Sequence, residues 1–483
     1  MRTAGGYGRR NRGLVKTVDW WLVACWIIMV LVGWANIYAS IHSTDPSSIF
    51  DWGCRSGKQF VWIMTSVGIA TLILFLIPPR VYEGLSLPIY IGVLLLLVAV
   101  IFLGIEVKGS RSWFAFGPVR FQPAEISKIS TSLLLATVMS QLGYKIGRLR
   151  DFVFTALVIL IPMGIIVLQS ETGSALVYVG FIFMLYREGL SGWLIFMVGM
   201  AILLFILTIS MSPYVAVLTL AGVASLCICL YSGKFRWWLI ICVPLLVLFA
   251  FVPKLFALVP WLNAVNPLWI LLGCSLLSLP FIAFQAFRER NTFTHLAIIS
   301  FLAGLLLVFS ADFLFNDVLQ DHQRKRIEVL LGMKEDPSGV GYNVNQSKIA
   351  IGSGGFFGKG YLNGTQTTYG FVPEQSTDFI FCTIGEEWGF VGCSLVILLY
   401  VFLMWRIIHD AERSREAFTR IYGYCVACCI FMHLFINIGM TIGLMPVIGI
   451  PLPFISYGGS SMWGFTAMLF IFIALNRNER KYF

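Results

Sequence analysis

The sequence predicts an all-α polytopic membrane protein of about fourteen transmembrane helices, and three observations carry that prediction. Of 483 residues, 58% are hydrophobic and 12% charged, with a mean hydropathy of +0.84, whereas soluble domains carry roughly 25% charged residues. The apolar residues gather into runs of about 20, the length that crosses a hydrocarbon core. The basic residues fall mostly on alternate connections between those runs, the bias that sets orientation.

The runs lie near 19–41, 60–77, 87–104, 123–142, 152–168, 174–187, 190–210, 214–231, 236–257, 266–287, 294–314, 379–405, 420–443 and 461–476. Counting fourteen crossings puts the basic arm 1–18, Arg80, the cluster Lys145, Arg148 and Arg150, then Arg187, Lys234, Arg236, Arg288, Arg290, the loop Arg406 to Arg420 and the tail on one side. That side is expected to be cytoplasmic, with both termini there. The first run is long and lacks a small-residue cleavage site, so it reads as a signal anchor. The net charge of +10 is therefore a topology signal, and no nucleic-acid partner is expected. Most of the eleven cysteines lie within spans and behave as small hydrophobes. No disulfide framework or metal-ligand spacing is visible among them.

Charged groups at bilayer depth are costly and mark function by default. Three polar clusters fit this description, all on the outer side. In "KGSRSWFAFGPVRFQPAEISKIS", residues 108–130, Pro123 suits a first helical turn, Glu125 favours the helix dipole, and Lys128 shares its face at i+3. The two are either a structural ion pair or part of a site for an anionic headgroup, with Arg111 as a further cation and Trp113 as an interfacial anchor. In "QSETGSALV", residues 169–177, Glu171 sits in a short turn beside Gly173, as a solvated acid or a ligand for a cation or sugar hydroxyls.

The third cluster is the long outside segment from Asp317 to Asp378. Its start, "DVLQDHQRKRIEVLLGM", reads as an interfacial helix. Next, "NQSKIAIGSGGFFGKGYLNGT" combines glycines with Ser353 and Lys359, a composition that forms anion-binding nests without P-loop spacing. Asp378 then closes the segment just before the apolar run. It is either a helix cap or a carboxylate placed to take a proton from a hydroxyl. Glu386 and Glu387 follow two turns deeper.

Together "NQSKIAIGSGGFFGKGYLNGTQ", "FVPEQSTDFIFCTIGEEWGFVG", "FQPAEISK" and "PLPFISYGGSS" resemble the SEDS family of shape, elongation, division and sporulation proteins, nearest to its cell-elongation branch. The resemblance covers most of residues 15–200 and 312–480. It implies a peptidoglycan glycosyltransferase that polymerises lipid II at the outer face of the bacterial cytoplasmic membrane. Implied partners are lipid II and the nascent glycan strand, a class B penicillin-binding protein that crosslinks it, and other elongation-complex membrane proteins. The implied catalytic residues are Asp378, Glu125 and Lys128. Arg111, Trp113, Gln122, Glu171, Lys348, Ser353, Lys359, Glu374, Ser456 and Tyr457 are the implied substrate-binding positions. No cofactor is required by the pattern. A divalent cation could share the charge stabilisation, but no distinctive ligand set is visible.

The chain departs from the family pattern in places. Ser376 stands where the family has histidine, Glu171 replaces aspartate, Ser112 replaces an arginine, and Ile448 replaces a threonine. The family usually has ten spans, so about four are inserted here. The expected organisation is a basic arm (1–18), an N-terminal part of the core (19–210), inserted spans (211–293), one span with the large catalytic loop (294–378), and three final spans with a cytoplasmic tail (379–483). Three alternatives stay open at this stage. They are a lipid II flippase or other transporter, which the deep acids suit, a non-enzymatic scaffold, and a division-type polymerase.

Overall fold

The computed structural model describes residues 17–41, 48–107, 109–117, 119–233, 235–258, 266–290, 292–315, 324, 328 and 341–480. The chain forms two compact units, Met1–Leu190 with Pro337–Phe483, and Ser191–Asp336. In chain order the first unit opens with α1 (Trp20–Ile41), α2 (Arg55–Phe75), α3 (Pro79–Gly84) and α4 (Ser86–Leu103). A small antiparallel sheet of β1 (Ile105–Val107), β2 (Ser110–Phe116) and β3 (Val119–Phe121) follows. Then come α5 (Pro123–Met139), α6 (Leu149–Leu168), α7 (Thr172–Val177) and α8 (Phe181–Arg187). The second unit holds α9 (Gly192–Ser210), α10 (Pro213–Tyr231), α11 (Val243–Leu258), α12 (Pro267–Glu289) and α13 (Thr292–Phe313). The first unit closes with α14 (Tyr342–Ser353), α15 (Thr365–Thr368), α16 (Ile380–Arg413), α17 (Ala417–Thr441) and α18 (Gly459–Arg480).

Among the described residues, 12 helices are long and apolar enough to cross a membrane. The other two expected crossings are present as weaker segments. One is α5, which has 17 residues and is diluted by Glu125, Lys128 and several serines. The other runs through Thr172–Arg187 and is interrupted by the tight turn Tyr178–Gly180. The polytopic all-α fold is therefore present, with the small sheet as an addition that periodicity did not anticipate. The basic arm before residue 17 and the expected interfacial helix at 317–333, apart from positions 324 and 328, lie outside the described residues.

The stretch 211–293, expected to hold the inserted spans, contains three of these helices, α10, α11 and α12. Three is odd, and an odd insertion would reverse the side of everything after it. Four inserted spans therefore require α9 or α13 as well. The second unit has its own apolar core, in which Leu204, Val217, Leu220, Phe301 and Val308 are buried together. The Trp193 indole donates to the Ser300 hydroxyl at 3.0 Å, which satisfies that N–H within the unit.

In the first unit α17 and α18 are the central helices, each with 78% of its apolar window buried. The start of α1 is fixed by Asp19, whose carboxylate accepts from the Trp21 amide at 3.0 Å as an N-cap does. The same carboxylate accepts two bonds from Arg406, at 2.9 and 2.5 Å.

The feature that shapes the end carrying Asp378 is a break in α16. Gly389 has φ +64° and ψ −159° inside an otherwise helical run, which frees backbone groups that a membrane-buried chain must satisfy internally. The Gly-rich segment supplies the partners. Lys359 and Gly360 amides donate to the Glu386 and Glu387 carbonyls at 3.0 and 2.9 Å. Phe390 and Val391 amides donate to the Gly355 and Phe356 carbonyls at 3.0 and 3.1 Å. The expected anion nest is thus used as a backbone splint: two of its amides are already bonded to α16.

This close approach needs glycine. A Cβ on Gly358 would lie 2.1 Å from the Glu387 carbonyl oxygen, and φ there is +83°. Gly352, in the last turn of α14, has no atom within 4 Å of an added Cβ. Gly358→Ala is expected to destabilise the protein by about 3 kcal/mol or more, and Gly352→Ala by less than about 1 kcal/mol in either direction. Melting temperatures of the two purified variants check this, and equal values would contradict the splint.

Candidate active site

Residues 374–379 form a tight turn that presents Asp378 ahead of α16. Glu374 has φ +52°, the left-handed region that non-glycine residues rarely adopt. Its carbonyl accepts from the Thr377 and Phe379 amides at 3.1 and 3.2 Å, and its carboxylate accepts from the Thr377 hydroxyl at 3.1 Å. The cap position of α16 falls on Phe379, so Asp378 lies one residue outside it.

The turn is backed by the segment 446–457. Asn437 on α17 donates through its amide to both the Asp378 carbonyl (2.8 Å) and the Ile450 carbonyl (2.7 Å). The Asp378 carboxylate lies against Gly449, whose added Cβ would come 3.4 Å from Oδ2. Ser456 is buried, accepts from the Leu452 amide at 2.8 Å and donates to the Thr377 carbonyl at 2.7 Å. The Tyr457 amide donates to the Ser376 carbonyl at 2.9 Å. Ser456 therefore holds the turn in place through its hydroxyl.

The sequence reading missed Arg55. Its guanidinium donates to Ser376 Oγ at 2.5 Å, lies 3.9 Å from the Glu374 carboxylate and stands 5.9 Å from the Tyr457 ring centroid. Ser376, where the family pattern has histidine, thus serves as an acceptor for a cation. The available signal was topological: "DWGCRSGK" carries two cations on the side that the charge bias leaves poor.

Glu125 and Lys128 are brought together as expected, but behind the mouth. Their side chains are 2% and 1% exposed and 2.9 Å apart. The Lys128 ammonium also meets His433 Nε2 at 2.8 Å and stands 4.8 Å from the Phe465 ring centroid. His433 Nδ1 lies 3.0 Å from the Pro451 carbonyl, so Nδ1 carries the proton and Nε2 accepts from lysine. His433 was not singled out from the sequence. It precedes Asn437 by one turn of α17, about 6 Å along the axis, so adjacent turns grip Pro451 and Ile450. The ion pair and the Asp378 turn share this one support.

Glu171 joins the sheet to the turn before α7: it accepts from the Ser112 hydroxyl at 2.9 Å and the Gln122 amide at 3.1 Å. Gly173, two residues on, packs on Ile448 and Ile450, the segment that borders Asp378. Trp113 is half-buried on β2. Arg111 is exposed and 3.6 Å from Glu106. Lys348 is exposed, with its ammonium lying over Gly443.

Lys359 and Ser353 belong to a different centre. The buried Glu386 carboxylate accepts from Lys359 Nζ (2.7 Å), the Gln366 and Thr367 amides (2.8 and 2.9 Å) and the Thr367 hydroxyl (2.9 Å). Thr365 and Ser353 hydroxyls approach it at 3.3 and 3.5 Å. The lysine expected to meet a substrate phosphate is thus spent on anchoring the loop. Among the described residues no three His, Cys, Asp or Glu side chains converge to hold a metal ion.

Removing one partner of a buried ion pair leaves an uncompensated charge and costs about 3–5 kcal/mol. Lys128→Met should destabilise by that amount, and adding Glu125→Gln should recover most of it. Thermal unfolding of the single and double variants checks the coupling, and additive losses would contradict a direct pair.

A model of the FtsW/RodA/SpoVE family, described as cell cycle protein, matches residues 18–227 and 269–481. The peptidoglycan glycosyltransferase MrdB of Escherichia coli (strain K12) is 31% identical over 387 residues, which cover 80% of this chain and 76% of that protein. The peptidoglycan glycosyltransferase RodA of Treponema pallidum (strain Nichols) is 30% identical over 476 residues, 98% of this chain and 100% of that one. Among solved structures, a chain from a study of polymerization and crosslinking by a peptidoglycan synthase complex is 26% identical and aligns with a TM-score of 0.59 over 96% of this chain and 98% of its own. The rod shape determining protein RodA of Thermus thermophilus shares the fold, with a TM-score of 0.54 over 96% of this chain and 97% of that one at 23% identity. Both the geometry and these likenesses lead to one assignment: the chain belongs to the FtsW/RodA/SpoVE family of cell cycle proteins.

Proposed function

We propose that this chain is a peptidoglycan glycosyltransferase that polymerises lipid II into glycan strands at the outer face of the bacterial cytoplasmic membrane, in cell elongation. The single observation that carries the chemistry is the turn that presents Asp378 one residue ahead of the α16 cap position, its backbone held by Asn437 and its carboxylate set against Gly449. Family membership and relatives named as peptidoglycan glycosyltransferases support the reaction class. The Treponema RodA match over 98% of this chain supports elongation over division.

In the proposed reaction the 4-hydroxyl of the acceptor sugar attacks the anomeric carbon of a polyprenyl-pyrophosphate-linked sugar. The C–O bond to pyrophosphate breaks with inversion, and the Asp378 carboxylate takes the hydroxyl proton. Charge developing on the leaving pyrophosphate falls to cations. Arg55, Arg111 and Lys348, which all reach solvent, suit that task better than Lys359 or Lys128, which are held by buried glutamates. Glu125, Lys128 and His433 position the segment behind Asp378. Both termini are cytoplasmic in this reading, and a class B penicillin-binding protein crosslinks the product, as the synthase-complex neighbour suggests. The transporter reading loses one of the two deep acids that suit it, because Glu386 is committed to the loop.

Asp378→Asn tests the assignment. The bond from Asn437 goes to the backbone carbonyl and survives the substitution, so abundance and melting temperature should stay near wild type. Loss of a positioned general base costs roughly 10²–10⁴-fold in rate, and that loss is expected for purified protein given labelled lipid II without another polymerase. Wild-type polymer yield from the variant would remove Asp378 from the reaction. Lipid movement without polymer from the wild type would favour a transporter.

A further inference from the structure

The other end of α18 carries a second polar centre that the reaction does not use. Arg477 lies 18 residues beyond Gly459, about 27 Å along the helix axis, close to the thickness of a hydrocarbon core. It therefore stands at the membrane face opposite Asp378. It is 5% exposed, yet among the described residues its guanidinium Nε and Nη1 have no hydrogen-bond acceptor. The Tyr82 hydroxyl of α3, a helix packed against α18, is likewise buried without a partner among the described residues.

Such a pair of orphaned donor groups is expensive. A buried cation without a counterion pays its desolvation with no return, and each unmade hydrogen bond adds to the cost. The Phe75 ring, 5.9 Å from the guanidinium, offers its face but accepts no N–H in the plane of the fork. Asp410, which accepts from the neighbouring Asn476 at 2.7 Å, faces Arg406 at 3.8 Å. Burial pushes the Tyr82 phenol up to about 12, against the pull of Arg477, so its O–H remains a donor at physiological pH.

We propose that Arg477 and Tyr82 form an anion site for a phosphate group, supplied by an anionic phospholipid headgroup or by free phosphate, at the membrane face opposite Asp378. The planar guanidinium offers a phosphate two edges of parallel N–H donors, Nη2 with Nε or Nη2 with Nη1, so that each edge includes one of the orphaned nitrogens, and the phenol adds a further donor. Phe75 and Leu76 at the end of α2 are 53% and 69% exposed, which gives the rim apolar surface suited to acyl chains beside a headgroup. Arg80, exposed on the same short helix as Tyr82, adds positive charge. Basic pockets between transmembrane helices hold lipid headgroups in this way.

The test uses the full chain in delipidated detergent, with phosphatidylglycerol, phosphatidylcholine or inorganic phosphate added. For the wild type, phosphatidylglycerol should raise the melting temperature by a few degrees and remain bound in native mass spectra. Arg477→Met should lose the shift while melting, without added anion, no lower than wild type, since it removes an unpaired buried charge. Tyr82→Phe should reduce the shift. A response to inorganic phosphate equal to that of the lipid assigns the site to free phosphate; a response to phosphatidylglycerol alone assigns it to the headgroup. The proposal is overturned if the wild type responds to neither, or if Arg477→Met responds as the wild type does. Wild-type spectra alone, free of any bound anion under all conditions, overturn it even if the variants fail to fold.

Discussion

The end of the first unit that carries Asp378 depends on one buried carboxylate. Glu386 carries a negative charge into a site with no solvent contact, and that charge is tolerable only because donors from the loop surround it. The loop in turn can reach Glu386 only because α16 breaks at Gly389 and exchanges backbone bonds with the Gly-rich segment. Charge burial, helix break and loop path thus require one another. Remove any of them and the chain between α14 and α16 has no fixed course, and with it goes the turn that carries Asp378.

A second linkage runs through α17. His433 and Asn437 each hold one carbonyl of the segment around Ile450 and Pro451, while their other bonds lead to Lys128 and to the Asp378 backbone. Glu171 reaches the same segment from the opposite direction by way of Gly173. The polar residues that the sequence scatters over three hundred positions act on one short stretch of extended chain. None of the buried ones need touch a substrate to matter; each fixes where the aspartate stands.

Much of this was legible beforehand. Runs of about 20 apolar residues and the side bias of the cations located the crossings, and the family motifs located the Asp378 turn. What failed did so for stated reasons. Lys359 looked available because a sequence does not say which of two adjacent acids, Glu386 or Glu387, will accept it. Glu125 and Lys128 were expected at an open mouth because i+3 spacing gives a shared face but not its burial. Arg55 and His433 depend on contacts across 321 and 305 positions, beyond the reach of any local pattern. The insert boundaries at 211–293 followed hydropathy alone, which marks spans without saying which of five similar ones was added.

The neutral ring of His433 has a consequence for how the protein answers to salt. With Nε2 accepting from Lys128 and Glu125 balancing the ammonium, the buried group is a dipolar cluster of zero net charge, sealed from counterions. Arg55, Arg111 and Lys348 stand in solvent, where interactions fade beyond about 8 Å at physiological ionic strength. Ionic strength therefore acts on the rim and leaves the interior untouched. Interactions made at the rim are tunable by the medium, while the buried geometry behind it is not.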